Sequence, residues 1–332
     1  MPQYKAPLRD MRFLMNEVFD YPGHYASLSN GADATPDMVE AIMEGAATFC
    51  EEVLAPLNLS GDQEGCTIAD GVVTTPKGFK EAYAEYVAGG WQGLSHPKEF
   101  GGQELPMSLN LIKSEMMCTA NWSFTVYPGL SLGCMNTIMQ FGSPDQLKTY
   151  MPPLVSGEWT GTMCLTEPQC GTDLGQVKTK AEPQTDGSYK ISGTKIFISA
   201  GEHDLAGNII HIVLARLPNS PKGTRGISLF IVPKFLINAD GSLGARNGVK
   251  AGALEHKMGI RASATCVMNF DDATGYMIAG FTKPEHKQFE GKFLADIASA
   301  MNRPWPDAII ELILSEGHDL DKLNFTMSED NV

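Results

Sequence analysis

The sequence has few of the features that mark secreted, membrane-spanning or nucleic-acid-binding proteins. Its seven cysteines are an odd number without a C-x-x-C pair, which argues against a disulfide framework and against a zinc site. No apolar run approaches the ~18 to 20 residues that a membrane span needs, and the N-terminus has no apolar core of signal-peptide type. Lysine and arginine number 25 against 39 aspartates and glutamates, so the net charge of −14 is unfavourable for nucleic acid. These absences predict a cytoplasmic protein with no membrane span and no nucleic-acid partner.

Common cofactor and metal motifs are missing as well. Neither G-x-G-x-x-G nor G-x-x-x-x-G-K-[ST] occurs, so a phosphate-binding loop of either type is not supported. The seven histidines are scattered without metal-ligand spacing, so no metal is expected and each histidine is expected at the surface or in a loop. With 332 residues, 43% of them hydrophobic and 19% charged, the chain suits two folded domains or one large one.

Apolar residues recur at helical spacing up to about residue 157. Thr35 and Pro36, with the apolar pattern after them, predict a helix that ends at Pro56. Further helix starts are predicted at Thr74–Pro76, Pro106 and Ser143–Asp145, and the last of these helices is expected to end near Pro152. From Trp159 the pattern changes to β-branched runs of strand length with no helix-length pattern between them, which predicts an antiparallel β module.

The fold class predicted from these patterns is α+β, with a helical domain followed by an antiparallel, β-barrel-like middle domain. Within the β domain, two short apolar runs flank Ser192-Gly193 in the pattern of a β-hairpin. The predicted segments are an N-terminal extension (1–36), a helical domain (37–158), a β domain (159–280) and a divergent tail (281–332).

One pentapeptide, Gly129 to Gly133 (GLSLG), matches the G-x-S-x-G nucleophile elbow of serine hydrolases. The preceding stretch, Phe124 to Tyr127, has the composition of a strand. The motif also requires a parallel sheet, an oxyanion-hole loop, and then an acidic residue and a histidine in that order. The helices before it and the antiparallel strands after it favour a glycine-rich helix instead, so a serine hydrolase using Ser131 is the least favoured function.

Two segments of the β domain are rich in hydroxyls: Met163 to Asp173 (MCLTEPQCGTD) and Gly193 to Ser199 (GTKIFIS). They indicate a strand, a polar turn, and a second strand that carries an aromatic residue and a hydroxyl. Free backbone N–H groups and hydroxyls suit the polar edge of a heterocycle, and an aromatic ring can stack on its face. Composition alone favours the simpler alternative, a turn whose side chains close its own backbone.

The same two segments, T-E-P-x-x-G-[ST]-D followed by G-x-K-x-[WF]-I-[ST], closely resemble the signature of the acyl-CoA dehydrogenase family. The resemblance runs from the N-terminus to about residue 280 and includes Phe100-Gly101-Gly102, Gly226 to Phe230 and Lys257 to Arg261. The extended N-terminus and the segment Ile198 to Asp204 resemble one branch of the family, the 3-methylmercaptopropionyl-CoA dehydrogenases.

The resemblance implies that FAD binds at this turn. By motif match, the pyrimidine edge of the flavin meets Leu165 and Thr166. Phe197 flanks the ring where relatives carry tryptophan, and Ser199 lies near N5 where relatives carry threonine. The full set of cofactor residues implied by the motif match is Met163, Leu165, Thr166, Gly171, Thr172, Phe197 and Ser199.

The reaction implied by the resemblance removes the α-proton of an acyl thioester while a β-hydride passes to the flavin, and it needs a carboxylate base. In the family this base is a glutamate of a C-terminal four-helix domain. That domain is expected to be absent here, because only residues 281–332 follow Gly280 and they do not resemble it. Glu316, in Ser315-Glu316-Gly317, is a weak candidate, and the family role of Glu167 is structural.

We therefore expect a FAD-dependent acyl-CoA dehydrogenase for a short or sulfur-containing acyl-CoA, with an electron-transfer protein as acceptor. The alternative is a truncated, inactive remnant or a module that binds flavin or acyl-CoA with little or no turnover. Relatives form homo-oligomers through the C-terminal domain, so an oligomer is not expected without that domain.

Overall fold

The computed structural model describes residues 4–278, 283, 285–289, 292 and 294–316. The helices are α1 (Leu8–Phe13), α2 (Tyr21–Ser27), α3 (Pro36–Thr48), α4 (Ala55–Glu64), α5 (Phe79–Ala88), α6 (Met107–Ala120), α7 (Trp122–Phe141), α8 (Pro144–Ser156), α9 (Leu294–Ala300) and α10 (Trp305–Glu316). The strands are β1 (Thr67–Ala69), β2 (Val72–Thr74), β3 (Trp159–Cys164), β4 (Lys180–Pro183), β5 (Tyr189–Ser199), β6 (Asn208–Arg216), β7 (Ile227–Pro233), β8 (Phe235–Ile237), β9 (Leu243–Arg246), β10 (Val249–Leu254) and β11 (Thr265–Met277). The predicted order of a helical part followed by a β part is confirmed.

Side-chain caps begin the helices where the sequence predicts them. The Thr35 hydroxyl accepts the N–H of Met38 at 3.3 Å, and α3 begins at the next residue. At α8, Ser143 accepts the N–H of Gln146 at 3.2 Å, and the Gln146 side chain accepts the Ser143 N–H at 3.0 Å. This reciprocal capping box satisfies two N–H groups that the first helical turn leaves unpaired.

Two predicted helix ends are wrong. The helix that starts at Thr35 does not end at Pro56, because a π-helical turn, Phe49–Leu54, connects α3 directly to α4. Pro56 is the second residue of α4 and directly follows the π-helical turn, so it lies inside a continuous helical stretch rather than at its end. Likewise α8 continues past Pro152 to Ser156 and ends at Gly157, whose φ of +86° suits glycine.

An aromatic cluster fills the core of the helical part. Phe124 of α7 lies at its centre, fully buried, with its ring centroid 6.0 to 6.4 Å from four other aromatic rings. Those four rings belong to Phe49, Phe79, Tyr83 and Tyr86. Large aromatic side chains bury much apolar area each, so this cluster fixes α5 and α7 against each other.

The strands of the β part form a ring. β5 pairs with β11, β11 with β7, β7 with β6, and β4 lies between β5 and β6. β10 extends the sheet from β11, and β3 extends it from β6. The barrel-like α+β fold is confirmed, but it is not purely antiparallel, because β3 and β4 both run parallel to β6. A parallel pair needs a long connection, and the chain between β3 and β6 supplies it with β4 and β5.

β5 is one continuous strand of eleven residues, so the hairpin predicted at Ser192-Gly193 is wrong. Gly193 pairs with Phe270 of β11 in the middle of the strand. A Cβ at this glycine would lie 2.5 Å from the Thr179 Oγ1 atom. The glycine therefore marks a close approach between segments of the chain rather than a turn.

The G-x-S-x-G pentapeptide lies in the middle of α7, and the strand predicted at residues 124–127 before it is also helical. Ser131 is 1% exposed. Its hydroxyl donates to the Tyr127 carbonyl at 3.1 Å and accepts the N–H of Gly161 at 3.0 Å. A nucleophile elbow needs an exposed serine on a strand-to-helix turn, so the structure contradicts the hydrolase hypothesis.

The buried Tyr127 hydroxyl joins the helical and β parts. It donates to the Ala262 carbonyl and accepts the N–H of Ala264, both at 3.0 Å. A second connection runs from Thr75 to Asp204, whose carboxylate accepts the Thr75 N–H and hydroxyl at 3.1 and 2.7 Å. Within the described ranges, no helix combines the length and apolar character needed to cross a bilayer.

We predict that Tyr127→Phe lowers the free energy of unfolding by about 1 to 3 kcal/mol for each buried partner left unsatisfied. The change removes the hydroxyl that bonds both Ala262 and Ala264. Urea unfolding measures the loss. Tyr4→Phe is the matched control, since the buried Tyr4 hydroxyl has no hydrogen-bond partner among the described residues. Equal stability of the two variants would contradict this prediction.

Candidate functional site

The polar turn that follows β3 is held against β5 by two consecutive carbonyls. The Leu165 carbonyl accepts a hydrogen bond from the Lys195 Nζ atom at 3.1 Å. The Thr166 carbonyl accepts the N–H of Ile196 at 2.8 Å. Both bonds come from neighbouring residues of one strand, so the turn has a fixed position beside β5.

A buried ion pair lies beneath this turn. The Lys195 side chain is fully buried, and its Nζ atom lies 2.8 Å from Glu167 Oε1. Glu167 also accepts hydrogen bonds from the Thr179 hydroxyl at 2.6 Å, from the Thr179 N–H at 3.0 Å and from the Lys178 N–H at 2.8 Å. Burial alone would raise the pKa of Glu167, but these donors outweigh it and hold the pKa at about 2. Glu167 is therefore ionised and fully bonded at neutral pH.

The backbone of β5 bulges at Phe197. The pairing with β11 shifts by one residue between Ile198 and Lys195, and Phe197 lies within this shift with φ of +57°. A bulky residue rarely adopts a positive φ, so the surrounding strands hold it there against local strain. The bulge turns the ring outward, where it is 58% exposed. Bulges beside functional sites commonly direct a side chain in this way.

Of the other residues in the predicted set, Thr166 lies beside this bulge, because its carbonyl accepts the N–H of Ile196, the residue before Phe197. Met163, on β3 just before the turn, is 40% exposed. Gly171 approaches Thr166, since a Cβ at the glycine would lie 3.6 Å from the Thr166 methyl group. Thr172 is exposed, and Ser199 is half-buried at the end of β5, where it pairs with Thr265.

Glu316 is the last residue of α10, and its side chain lies outside the described residues together with Gly317. The structure therefore does not place this candidate base relative to the turn. The described part of the predicted tail forms α9 and α10, with Phe289, Ile297 and Leu312 buried between its elements.

The turn has the donors and the aromatic face that a flavin-sized heterocycle requires. The Thr166 N–H, the Thr166 hydroxyl and the Ser199 hydroxyl form no hydrogen bond with any residue in the described ranges. The Thr166 side chain thus does not close its own turn, in contrast to the simpler alternative derived from composition. The backbone closes it instead, between Glu167 and Cys170. Unpaired donors beside the exposed Phe197 ring fit the polar edge and the face of a bound ring system.

Sequence reasoning missed Lys195 and a second buried ion cluster. Glu202, 1% exposed, pairs with Lys234, and its Oε2 atom lies 2.7 Å from Arg246. Glu202 follows the loop that leaves β5, so the cluster fixes the end of the strand that carries Phe197. A charged residue inside an apolar, alternating strand is a signal that could have identified Lys195.

The expectation that every histidine lies at the surface or in a loop is wrong for His211, which is buried on β6, whereas the buried His96 and His203 lie in loops. His203 lies 2.9 Å from the Thr160 hydroxyl through Nε2, and His211 lies 2.8 Å from the Thr162 hydroxyl through Nδ1. Burial, together with nearby cationic side chains, lowers the pKa of each to about 3. Both rings are neutral at physiological pH, and each contacts a threonine hydroxyl of β3.

Two family descriptions match this chain. Residues 36–158 match the acyl-CoA dehydrogenase N-terminal domain, and residues 162–273 match the acyl-CoA dehydrogenase middle domain. Together they include helices α3 to α8, the turn after β3 and the whole of β5.

Similar proteins cover the same part of the chain. The 3-methylmercaptopropionyl-CoA dehydrogenase of Ruegeria pomeroyi is 45% identical over 275 residues, which are 83% of this chain and 47% of that protein. A butyryl-CoA dehydrogenase of Syntrophomonas wolfei subsp. wolfei is 36% identical over 291 residues, 83% of this chain and 46% of that one. A crystal structure of an acyl-CoA dehydrogenase from Bacillus anthracis, complexed with FAD, shares the fold at 24% identity, with a TM-score of 0.59 over 74% of this chain and 38% of that chain. The chain spans about half the length of the curated relatives it matches.

We predict that Lys195→Met lowers the free energy of unfolding at pH 7 by about 3 to 5 kcal/mol, because it leaves the Glu167 carboxylate buried without its cation. Because the folded pKa of Glu167 is about 2, below its ordinary 4.5, its contribution is complete above about pH 4.5 and disappears as the pH falls towards 2. Removing Lys195 raises this pKa, so the acid unfolding transition moves to higher pH. Urea unfolding and an acid titration followed by circular dichroism measure the two effects.

The matched control for this prediction is Lys180→Met on the neighbouring strand β4. Lys180 is exposed, so its loss costs less than about 1 kcal/mol. A Lys195→Met protein as stable as Lys180→Met would show that the buried pair does not contribute to stability.

Proposed function

This chain belongs to the acyl-CoA dehydrogenase family through its N-terminal and middle domains, and on that premise we propose that it binds FAD and oxidises an acyl-CoA thioester. The observation that carries the proposal is the turn after β3, where unpaired donors lie beside an exposed aromatic ring on a strained bulge. The FAD in the Bacillus anthracis acyl-CoA dehydrogenase of the same fold supports the choice of cofactor.

The residues proposed to hold the flavin are those of the turn and of β5. Leu165 and Thr166 meet the polar edge, and the Thr166 N–H is the donor available to it. Phe197 covers the ring and excludes water, and the Ser199 hydroxyl donates beside it. The remaining contacts come from Met163, Gly171 and Thr172. When bound, FAD supplies the acceptor for a hydride from the β-carbon of the thioester.

We propose a short or sulfur-containing acyl-CoA as the substrate. The support is the 45% identity to a 3-methylmercaptopropionyl-CoA dehydrogenase and the 36% identity to a butyryl-CoA dehydrogenase. We propose an electron-transfer protein as the acceptor for the electrons. A reducing compartment such as the cytoplasm is the proposed location, because the seven cysteines are free thiols.

A second candidate is a module that binds flavin or acyl-CoA without turnover. The carboxylate next to the turn, Glu167, favours it, because this group is 3% exposed and its oxygens are already bonded by Lys195, Thr179 and Lys178. A group in this state cannot serve as the base that removes an α-proton.

Acyl-CoA-dependent reduction of an electron acceptor by the FAD-loaded chain separates the two candidates. Turnover near the ~10 s⁻¹ of a typical enzyme supports the dehydrogenase. Loss of that turnover in Glu316→Gln, with FAD binding intact, would identify Glu316 as the base. A chain that retains FAD but reduces no acceptor with any acyl-CoA supports the binding module. A chain that binds neither FAD nor acyl-CoA contradicts both candidates.

We predict that Phe197→Ala weakens FAD binding at least tenfold while leaving the melting temperature unchanged or slightly higher. The Phe197 ring is 58% exposed and its backbone is strained, so little packing is lost in the protein without FAD. The dissociation constant is measured by titration of flavin fluorescence. Phe19→Ala is the matched control, because that ring is 60% exposed but lies in the N-terminal extension. Equal FAD affinities of the two variants would remove Phe197 from the site.

A further inference from the structure

We infer that Lys195 is a positioning residue that sets the reduction potential of the bound flavin through the Leu165–Thr166 peptide. The inference rests on the proposed FAD site and adds a residue that does not touch the cofactor. It assigns to the buried lysine a role beyond holding the fold together.

The buried ammonium group of Lys195 connects Glu167 to the turn after β3. Its side chain is fully buried, so its charge is not screened by solvent. One hydrogen bond goes to Glu167 Oε1 at 2.8 Å and another to the Leu165 carbonyl at 3.1 Å. The lysine is therefore in direct contact with the turn.

The Leu165–Thr166 peptide group transmits the charge of Lys195 from one side of the turn to the other. No cis peptide bond occurs in the described chain, so the Leu165 carbonyl and the Thr166 N–H point in opposite directions. The carbonyl is directed at Lys195, and the N–H is directed away from the ion pair. This N–H has no partner among the residues that the structure describes.

A charged donor on the carbonyl polarises the whole amide. Hydrogen bonds from ionised groups are about twice as strong as neutral ones, and linked bonds strengthen each other at low dielectric. The Thr166 N–H is thereby a stronger donor than an ordinary amide. A stronger donor at the flavin edge favours the electron-rich, reduced cofactor, and so raises its reduction potential.

Glu167 holds the lysine in place and also has hydrogen-bond donors other than Lys195. The carboxylate accepts three further bonds from Thr179 and Lys178. The two members of the pair therefore contribute charges of opposite sign to the turn, and only Lys195 contacts the peptide that carries the flavin donor. This asymmetry distinguishes the proposed role from a purely structural one.

The test compares the flavin potentials of two variants that break the same pair. Lys195→Met removes the ammonium and leaves the carboxylate, so the reduced-to-oxidised ratio at a given potential falls at least tenfold, or about 30 mV for a two-electron couple. Glu167→Gln keeps the lysine on the Leu165 carbonyl and removes the negative charge, so its potential is unchanged or higher. Redox titration against a reference dye measures both potentials in FAD-loaded full-length protein. Lys180→Met is the control, with the wild-type potential expected.

A purely structural pair predicts that both variants lose stability and shift the potential in the same direction. A downward shift in both, or no shift in Lys195→Met, overturns the inference while leaving the proposed function intact. If Lys195→Met does not fold, Lys195→Gln replaces it with the same expected fall. If neither folds, Glu167→Gln decides alone, and a potential below that of wild type overturns the inference. A wild-type chain that binds no FAD overturns the proposed function and this inference with it.

Discussion

The buried pair between Lys195 and Glu167 is the interaction on which the candidate site depends. It joins the turn after β3 to the strand that carries Phe197 and Ser199, two segments about thirty residues apart in sequence. Charges are costly to bury unless they are paired and hydrogen-bonded, and here the carboxylate receives bonds from Lys195 and from three further residues. The pair fixes the Leu165 carbonyl, the Ile196 N–H fixes the Thr166 carbonyl, and the Thr166 N–H has no partner among the described residues.

The strands and ion pairs around Phe197 hold its backbone in a strained conformation. β5 is paired with β11 on one side and with β4 on the other, and its end is anchored by Glu202 through Lys234 and Arg246. A positive φ at a bulky residue persists only where neighbouring contacts overdetermine the backbone. The strand pairing of the β part therefore offsets the backbone strain at Phe197. The exposed ring adds little to the stability of the protein alone, but it is available to a ligand.

The helical part was predictable where the signal is local. Thr35 and Ser143 begin helices because their hydroxyls satisfy N–H groups within three residues, and such contacts do not depend on distant parts of the chain. Pro56 and Gly193 were misinterpreted because each residue is compatible with two structures. Proline both ends helices and starts them, and glycine serves turns as well as close packing. The π-helical turn that runs into Pro56 and the Thr179 side chain beside Gly193 decided between them.

The sequence by itself determined the α+β order of the chain, the helix starts, and the family to which its hydroxyl-rich segments belong. It also named the turn and the strand of the candidate site, since those residues form a contiguous signature. Tertiary structure decided that Ser131, His203 and His211 serve the core, that β3 runs parallel to β6, and that Lys195 lies against Leu165. The physical reason is that burial and ion pairing depend on which distant segments of the chain come into contact. The local sequence around each residue does not specify those contacts.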